Sequence, residues 1–216
     1  MGITAKAAGS GGDFEPLPEG VHVAVCFALY DLGTHTSTVY NKDQRQVLVM
    51  WEVPEERIEI ERDGKALDLP WAISKFYTLS LHEKANLRRD LESWRGQAFK
   101  PADLEGWDLG AILGASCQLQ VIHEEKGGKT RANVKAVMAL PKGVKKLKPE
   151  NEPRFFSFED GAVIPDDTPE WVEKIIKESH EWAALTTTVG SDKSQAAAAD
   201  NPHPATGEDE DETLPF

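Results

Sequence analysis

Three stretches of the chain alternate apolar residues with other residues at a period of two, and this pattern restricts the possible folds more than any other feature. They cover residues 21–29, 47–53 and 73–81. Such alternation is typical of β-strands that bury one face, because successive side chains of a strand point to opposite faces. The residues expected on the buried faces are Val21, Val23, Val25, Phe27 and Leu29; Val47, Val49, Trp51 and Val53; and Ile73, Tyr77, Leu79 and Leu81. The chain is therefore predicted to be built on a β-sheet.

The period changes to that of a helix directly after the third stretch. Ser80 and Glu83 have the spacing of a capping box, in which each side chain binds a free backbone N–H at the start of a helix. An apolar face at helical spacing follows, and then a glycine that can end the helix in a left-handed conformation. These residues are Leu87, Leu91, Trp94 and Gly96. A second helical segment is expected over residues 101–113.

A β-hairpin is predicted beyond this helical part. Two strands flank the turn sequence "EEKGGK". The residues predicted to point into the core are Cys117, Leu119 and Val121 on the outgoing strand, and Ala132, Val134, Ala136 and Met138 on the returning strand. Arg131, Asn133 and Lys135 must then share the opposite face of the returning strand, because side chains alternate.

A last helix is predicted near residue 170. Thr168 is the expected N-cap and Pro169 the expected first helical residue, where a proline costs no hydrogen bond. Its apolar stripe is expected to pack on the sheet and to consist of Trp171, Ile175 and Trp182.

The order of these elements predicts an all-β fold with accessory helices. Five antiparallel strands with a helical insert between strands 3 and 4 and a closing C-terminal helix match the OB-fold, a five-stranded, partly open barrel. A small sandwich and a mixed α+β sheet share the same strand evidence and remain alternatives. The predicted domains are a flexible leader over 1–19, the OB-fold domain over 20–186, and a disordered linker with an acidic tail over 187–216.

Neither a catalytic site nor a cofactor site is expected. The two cysteines lie in separate apolar runs, so neither a disulfide nor a structural zinc site is predicted. No nucleotide-binding, serine-hydrolase or zinc-protease motif is present. The acidic stretch from Glu52 to Asp63 could ligate Mg²⁺ in a nuclease, with Glu56 and Glu59 as candidates, but its alternation is typical of a solvated strand edge. The absence of a long apolar stretch predicts a cytoplasmic protein.

Charge is divided unequally along the chain. The net charge is −13, which by itself disfavours nucleic acid as a partner. However, the stretch from Lys126 to Lys148, here called the basic segment, contains eight Lys and Arg residues and no acid. The last 26 residues contain seven acids against Lys193 alone. One chain therefore has both a cationic surface and an anionic arm that could compete for it.

Binding to single-stranded nucleic acid requires cations for the phosphates and aromatic faces for the bases. Phe76 and Tyr30 are strand aromatics predicted to point away from the core, and Tyr40 lies in a polar loop. The alternative for Phe76 and Tyr30 is coverage by another part of the chain. The basic candidates are Lys75, Arg131, Lys135, Lys142, Lys145, Lys146 and Lys148, most of them expected in one contiguous patch.

Two parts of the sequence carry a resemblance to a known family. The final "EDEDETLPF" is similar to the acidic C-terminal tails of bacterial and bacteriophage single-stranded DNA-binding proteins. The body resembles phage members of that group, through "YTLSLHEKANLRRDLESWRG" and "DLGAILGASCQLQVIHEEKGGKTRANVKAVMALPKG". The resemblance implies an OB-fold that coats single-stranded DNA without sequence preference during replication, recombination or repair. It also implies a location in the host cytoplasm.

The same resemblance implies a role for the C-terminal tip. Its acids would compete with DNA for the basic groove, and its apolar end would recruit replication or recombination proteins. The residues concerned are Glu208, Asp209, Glu210, Asp211, Glu212, Leu214, Pro215 and Phe216. The segment from Pro153 to Trp182 exceeds a minimal OB domain and is expected to cap the barrel or to mediate self-association. Two other function classes remain open: an OB-like protein adaptor without nucleic-acid binding, and a metal-dependent nuclease accessory.

Overall fold

The computed structural model describes residues 15–37, 41–62 and 64–187. The strands are β1 (Gly20–Ser37), β2 (Lys42–Arg62), β3 (Lys65–Thr78), β4 (Ser116–Lys126), β5 (Lys129–Met138) and β6 (Arg154–Phe156). The helices are α1 (Asn86–Arg95), α2 (Pro101–Leu104), a short 3-10 helix (Leu109–Ile112) and α3 (Glu170–Lys177). Residues 180–187 are also helical.

The five long strands form one antiparallel sheet that curls into an open half-barrel. Their order in the sheet is β3-β2-β1-β4-β5, and the short β6 pairs with β1 in parallel. β3 and β5 are the two ends of this order, yet some of their residues lie within 8 Å of each other, Cα to Cα. The predictions of a mostly β fold, five antiparallel strands and helices between the third and fourth strands are confirmed.

The concave face of the sheet encloses the larger of two apolar cores, here called the inner core. Trp51 of β2 and Trp94 of α1 meet there, with ring centroids 5.9 Å apart. The prediction for β2 is confirmed, since Val47, Val49, Trp51 and Val53 all belong to this core. Leu17 is fully buried in it as well. The expectation of a flexible leader as far as residue 19 is therefore wrong for the stretch around Leu17.

The predicted inward face of β1 is confirmed at Leu29 but wrong at Val21 and Phe27. The register of β1 against β2 shifts between Cys26 and Ala28, and such a bulge turns the following side chains to the other face. Cys26 and Leu29 consequently lie in the inner core, whereas Phe27 lies in the second core on the convex face of the sheet. Val21, which was expected inside, is 56% exposed. β1 is thus buried on both faces over most of its length.

The second core, here called the outer core, lies between the convex face of β1 and β2 and residues 154–187, here called the C-terminal segment. Val172 and Ile176 of α3 are fully buried against this face. Ile175 and Trp182 pack against this core as predicted, whereas Trp171 is 44% exposed, so the expected stripe is wrong at Trp171 alone. α3 begins after Pro169 without a side-chain cap, so Thr168 is not the N-cap.

Polar contacts also fasten the C-terminal segment to the sheet. Glu52, fully buried on β2, accepts hydrogen bonds from the backbone N–H of Glu150 (2.5 Å) and from the backbone and side-chain N–H groups of Asn151 (3.0 and 2.7 Å). At the other end, the Glu181 carboxylate accepts from the backbone N–H and the hydroxyl of Thr34, each at 2.6 Å. These contacts place the segment beside β1 and over the convex face.

The helix predicted after the third strand starts later than expected. Its N-cap is Ala85, with no side-chain cap, and the Ser80 hydroxyl instead accepts a hydrogen bond from the His82 N–H. The capping box is therefore wrong. The predicted apolar face at Leu87, Leu91 and Trp94 is buried, and Gly96 ends the helix with φ 67°. The helical expectation for 101–113 is met in two short pieces, α2 and the 3-10 helix.

The β4–β5 hairpin follows its prediction as far as a second bulge. Cys117, Leu119 and Val121 point into the inner core. The register against β5 shifts between Gln120 and Val121. Beyond the shift Val137, rather than Ala136 or Met138, belongs to the core.

Candidate nucleic-acid interface

The Lys and Arg side chains of the basic segment are exposed, and no described carboxylate forms an ion pair with them. None of these side chains forms an ion pair with another residue that the structure describes. They are Lys126, Lys129, Arg131, Lys135, Lys142, Lys145, Lys146 and Lys148, and all eight are exposed. By contrast, each other arginine with a described side chain pairs with Asp or Glu: Arg45, Arg57, Arg88, Arg89, Arg95 and Arg154. The positive charge available to a phosphate is therefore concentrated in the basic segment.

The fold spreads this segment into a strip. Lys126, Lys129 and Arg131 lie at the turn of the β4–β5 hairpin, whereas 142–148 follow the opposite end of β5. From Arg131 to the end of β5 the chain extends roughly 23 Å, at about 3.3 Å per residue. The loop is held at Ser116, whose hydroxyl accepts from the Leu147 N–H at 2.8 Å. A strip along β5 fits an extended polyanion better than a compact patch does.

An exposed pair of aromatic rings lies on the convex side of β3. Phe76 is 49% exposed, and its ring centroid is 6.1 Å from that of Trp171, with 53° between the ring planes. Phe76 therefore lies where the prediction placed it, on the outward face. Lys135 is exposed and lies at the bulge of β5, between Val134 and Ala136, on the strand that approaches β3. Trp171 was expected on the buried stripe of α3, because positions 171/175 and 172/176 are both apolar and the sequence alone does not decide which pair is buried.

Tyr30 is not available for base stacking. Its side chain is fully buried in the outer core beneath the C-terminal segment. Burial also raises the pKa of its hydroxyl. The prediction of an exposed Tyr30 is therefore wrong, and the alternative of coverage by a distant part of the chain is confirmed. Tyr40 lies outside the described residues.

Lys75 is also removed from the candidate surface. Its ammonium lies 2.7 Å from Asp90 of α1, and Tyr77 donates a hydrogen bond to the same carboxylate at 2.9 Å. Lys75 shares the concave face of β3 with Ile73 and Tyr77, because residues two apart lie on one face. Its side chain is only 19% exposed. Lys75 thus links β3 to α1, and this ion pair disfavours the predicted contact of Lys75 with nucleic acid.

Two carboxylates of the acidic stretch on β2, those of Glu52 and Glu56, form structural contacts. Glu52 binds the loop at 150–151, as described above, and Glu56 lies 3.5 Å from His22. Within the described ranges, no group of three or more His, Cys, Asp or Glu residues is placed to hold a metal ion. Cys26 and Cys117 are buried, and burial raises the pKa of Cys26 to about 12 and that of Cys117 well above its usual range.

An apolar pocket of about 310 Å³ opens between β1, β6 and the 3-10 helix. Its rim carries the carboxylates of Asp31, Asp108 and Glu159. The one arginine on the rim, Arg45, is already bound to Asp31 at 2.5 Å. The rim therefore disfavours anionic ligands, including the acidic C-terminal tip. That tip, Glu208 to Phe216, lies outside the described residues.

None of the described helices has the length and apolar character required to cross a membrane. No protein-family model, curated protein or solved structure matches the chain.

Proposed function

We propose that this protein binds and protects single-stranded DNA without sequence preference, in phage replication or recombination. The observation that carries the proposal is the strip of eight exposed cations that no described carboxylate neutralises. Binding of a polyanion gains free energy when such cations replace the counterions condensed on its phosphates. Cations that already pair with carboxylates, as most arginines here do, contribute less.

The topology supports an OB-fold as the scaffold. A curled antiparallel sheet in which β3 and β5 come together, with α1 between the third and fourth strands, is the arrangement of such a barrel. Nucleic acids commonly bind the exposed face of this fold. Here the C-terminal segment covers the convex face of β1 and β2, so the free part of that face is at β3 and β5.

Phe76 and Trp171 supply the aromatic component on that free part. Stacking on an aromatic side chain contributes about 1 to 3 kcal/mol per base and tolerates any base, because each base has a π face. With Lys135 and the loop at 142–148 on the phosphates, this surface binds single strands and discriminates against duplexes, whose bases are already stacked.

The acidic tip completes the proposal. Glu208 to Glu212 compete with DNA for the basic segment, since the acidic rim of the apolar pocket repels them. When DNA displaces the tip, Leu214, Pro215 and Phe216 become available to replication or recombination proteins. One docked Phe contributes only about 1.5 to 3 kcal/mol, so capture of partners depends on many tails arrayed along one strand.

The test is a titration of the full-length protein with fluorescein-labelled oligo-dT and with a duplex of equal length, at low and moderate salt. Preferential binding of the single strand that weakens with salt, by about 0.7 in the log-log slope for each phosphate neutralised, supports the proposal. Absence of binding at low salt, both for the full chain and after removal of Glu208 to Phe216, refutes it and favours a protein adaptor.

A further inference from the structure

A groove with a cavity volume of about 810 Å³ lies at the open end of the half-barrel. One wall is the outer part of the β2–β3 hairpin, including Arg57, Glu59 and Trp71. The opposite wall is the turn of the β4–β5 hairpin, from Gly128 to Arg131. This groove is separate from the aromatic pair on the convex surface, because Trp71 lies opposite Val53 of the inner core and therefore faces the concave side.

Trp71 lines the groove and has no aromatic neighbour among the described residues. It packs against the inner core and is partly buried. No other described ring stacks against it or meets it edge-on, unlike Trp51, Trp94, Trp107 and Trp171. A partly buried indole that is held by the core on one side and open to a groove on the other is a rigid platform for a flat ring.

The charges of the groove are arranged asymmetrically. On the β2–β3 side, Arg57 is held by Asp68, with Nε 3.1 Å from Oδ1, and by Glu150, with NH1 2.8 Å from Oε1. That arginine is neutralised, and two carboxylates that line the groove, Glu59 and Glu15, form no ion pair with a described residue. On the hairpin side, Lys129 and Arg131 are exposed and unpaired. A phosphate is therefore repelled from the wall that carries Glu59 and attracted to the wall that carries Lys129 and Arg131.

We propose that this groove is a second nucleotide-binding subsite, in which one base stacks on Trp71 while the adjoining phosphates contact Lys129 and Arg131. The inference rests on the proposed function and names a path for the strand. Trp71 and Phe76 are five residues apart on β3, about 17 Å at 3.3 Å per residue, and they lie on opposite faces. A bound strand thus passes from the groove, around the end of the half-barrel, to the convex surface.

The first experiment uses the unaltered full-length protein. Oligo-dT with a single 5-iododeoxyuridine is bound, irradiated and digested, and the cross-linked peptides are identified by mass spectrometry. We expect a cross-link at Trp71 in addition to those on the convex surface. This measurement does not depend on the folding of any variant.

The second experiment compares variants by oligo-dT affinity. Trp71→Leu keeps an apolar side chain but removes the π face, and we expect its Kd to rise roughly 5- to 150-fold, the range for loss of one stacked base. The matched control is Trp182→Leu, which removes a partly buried tryptophan of the outer core. The double variant Lys129→Gln/Arg131→Gln is expected to reduce the salt slope by about 1.4.

The outcomes separate the two proposals. If the unaltered protein binds oligo-dT but gives no cross-link at Trp71, and folded Trp71→Leu binds like the control, the groove is not a subsite while single-strand binding stands. If the unaltered protein does not bind single strands at all, both proposals fail. A cross-link at Trp71 together with a selective loss of affinity in Trp71→Leu supports the subsite.

Discussion

Removal of two charges from the loop after β5 gives the sharpest test of how this surface works. Lys145 and Lys146 are exposed and have no described carboxylate partner, so each is expected to neutralise about one phosphate. For the double variant Lys145→Gln/Lys146→Gln, the slope of log K against log salt should become less steep by about 1.4, at ~0.7 per phosphate. When the salt concentration rises from about 50 to about 200 mM, the affinity of both proteins for oligo-dT falls. The factor by which it falls should be about seven times smaller for the double variant than for the unaltered protein.

The assay is fluorescence anisotropy of labelled oligo-dT at five or more salt concentrations. The matched control is Lys84→Gln/Lys177→Gln, which changes the net charge equally but removes cations outside the basic segment. Lys177 is already paired with Glu173, and Lys84 lies on the turn before α1. The control slope should stay close to that of the unaltered protein. Equal slopes for the two double variants would show that net charge, rather than the location of the lysines, governs binding, and would refute the reasoning.

The remaining predictions concern the C-terminal segment. Glu52→Ala leaves three donors of 150–151 without their acceptor, and since Glu150 is exposed and Asn151 is half-buried, water replaces part of this loss; we expect the free energy of unfolding by urea to fall by about 1 to 3 kcal/mol. The pKa of Glu181 is lowered: its partial burial acts to raise it, but the hydrogen bonds from Thr34 outweigh that effect. Because the pKa of Glu181 is lower in the folded state than the unfolded value of 4.5, its carboxylate stabilises the fold above pH 4.5. This stabilisation is lost as the pH falls through the folded pKa. Thr34→Val removes part of it, so the decline of Tm between about pH 5 and pH 3 should be less steep in this variant. If Thr34→Val and the unaltered protein decline in parallel, this contact does not contribute. Gly33→Ala would place a Cβ 2.5 Å from the side chain of Ser179 in the C-terminal segment, at φ +76°, and should lower the Tm by several degrees. The control is Gly64→Ala, which has a similar φ of +71° but open space around the added Cβ. Its Tm should fall only by the amount that the backbone strain causes.

Part of the interface could be predicted because it depends on local pattern alone. The alternation of β3 places Phe76 on the face opposite Tyr77 wherever that strand lies. Because no acidic residue lies between Lys126 and Lys148, no residue within this stretch can neutralise the charge of these cations. The same alternation places Lys75 on the face of Ile73 and Tyr77, which disfavours Lys75 as a nucleic-acid contact.

Other parts could not be predicted, because they depend on residues far apart in sequence. Tyr30 has the pattern of an exposed aromatic, and only the packing of residues more than a hundred positions later buries it. The bulges in β1 and β5 are decided by pairing with neighbouring strands, and each exchanges the faces of the residues that follow it. The groove at Trp71 arises between two hairpins that are neighbours only after the sheet curls.

The sequence by itself determined the five long strands and their succession along the chain, the position of the helices between the third and fourth strands, and the separation of charge along the chain. These properties follow from period, composition and turn residues, which act over a few positions. The tertiary structure alone decided which aromatics remain exposed, which cations remain unpaired and where a groove opens. These properties depend on which distant side chains come into contact, because burial and ion pairing are determined by neighbours in space.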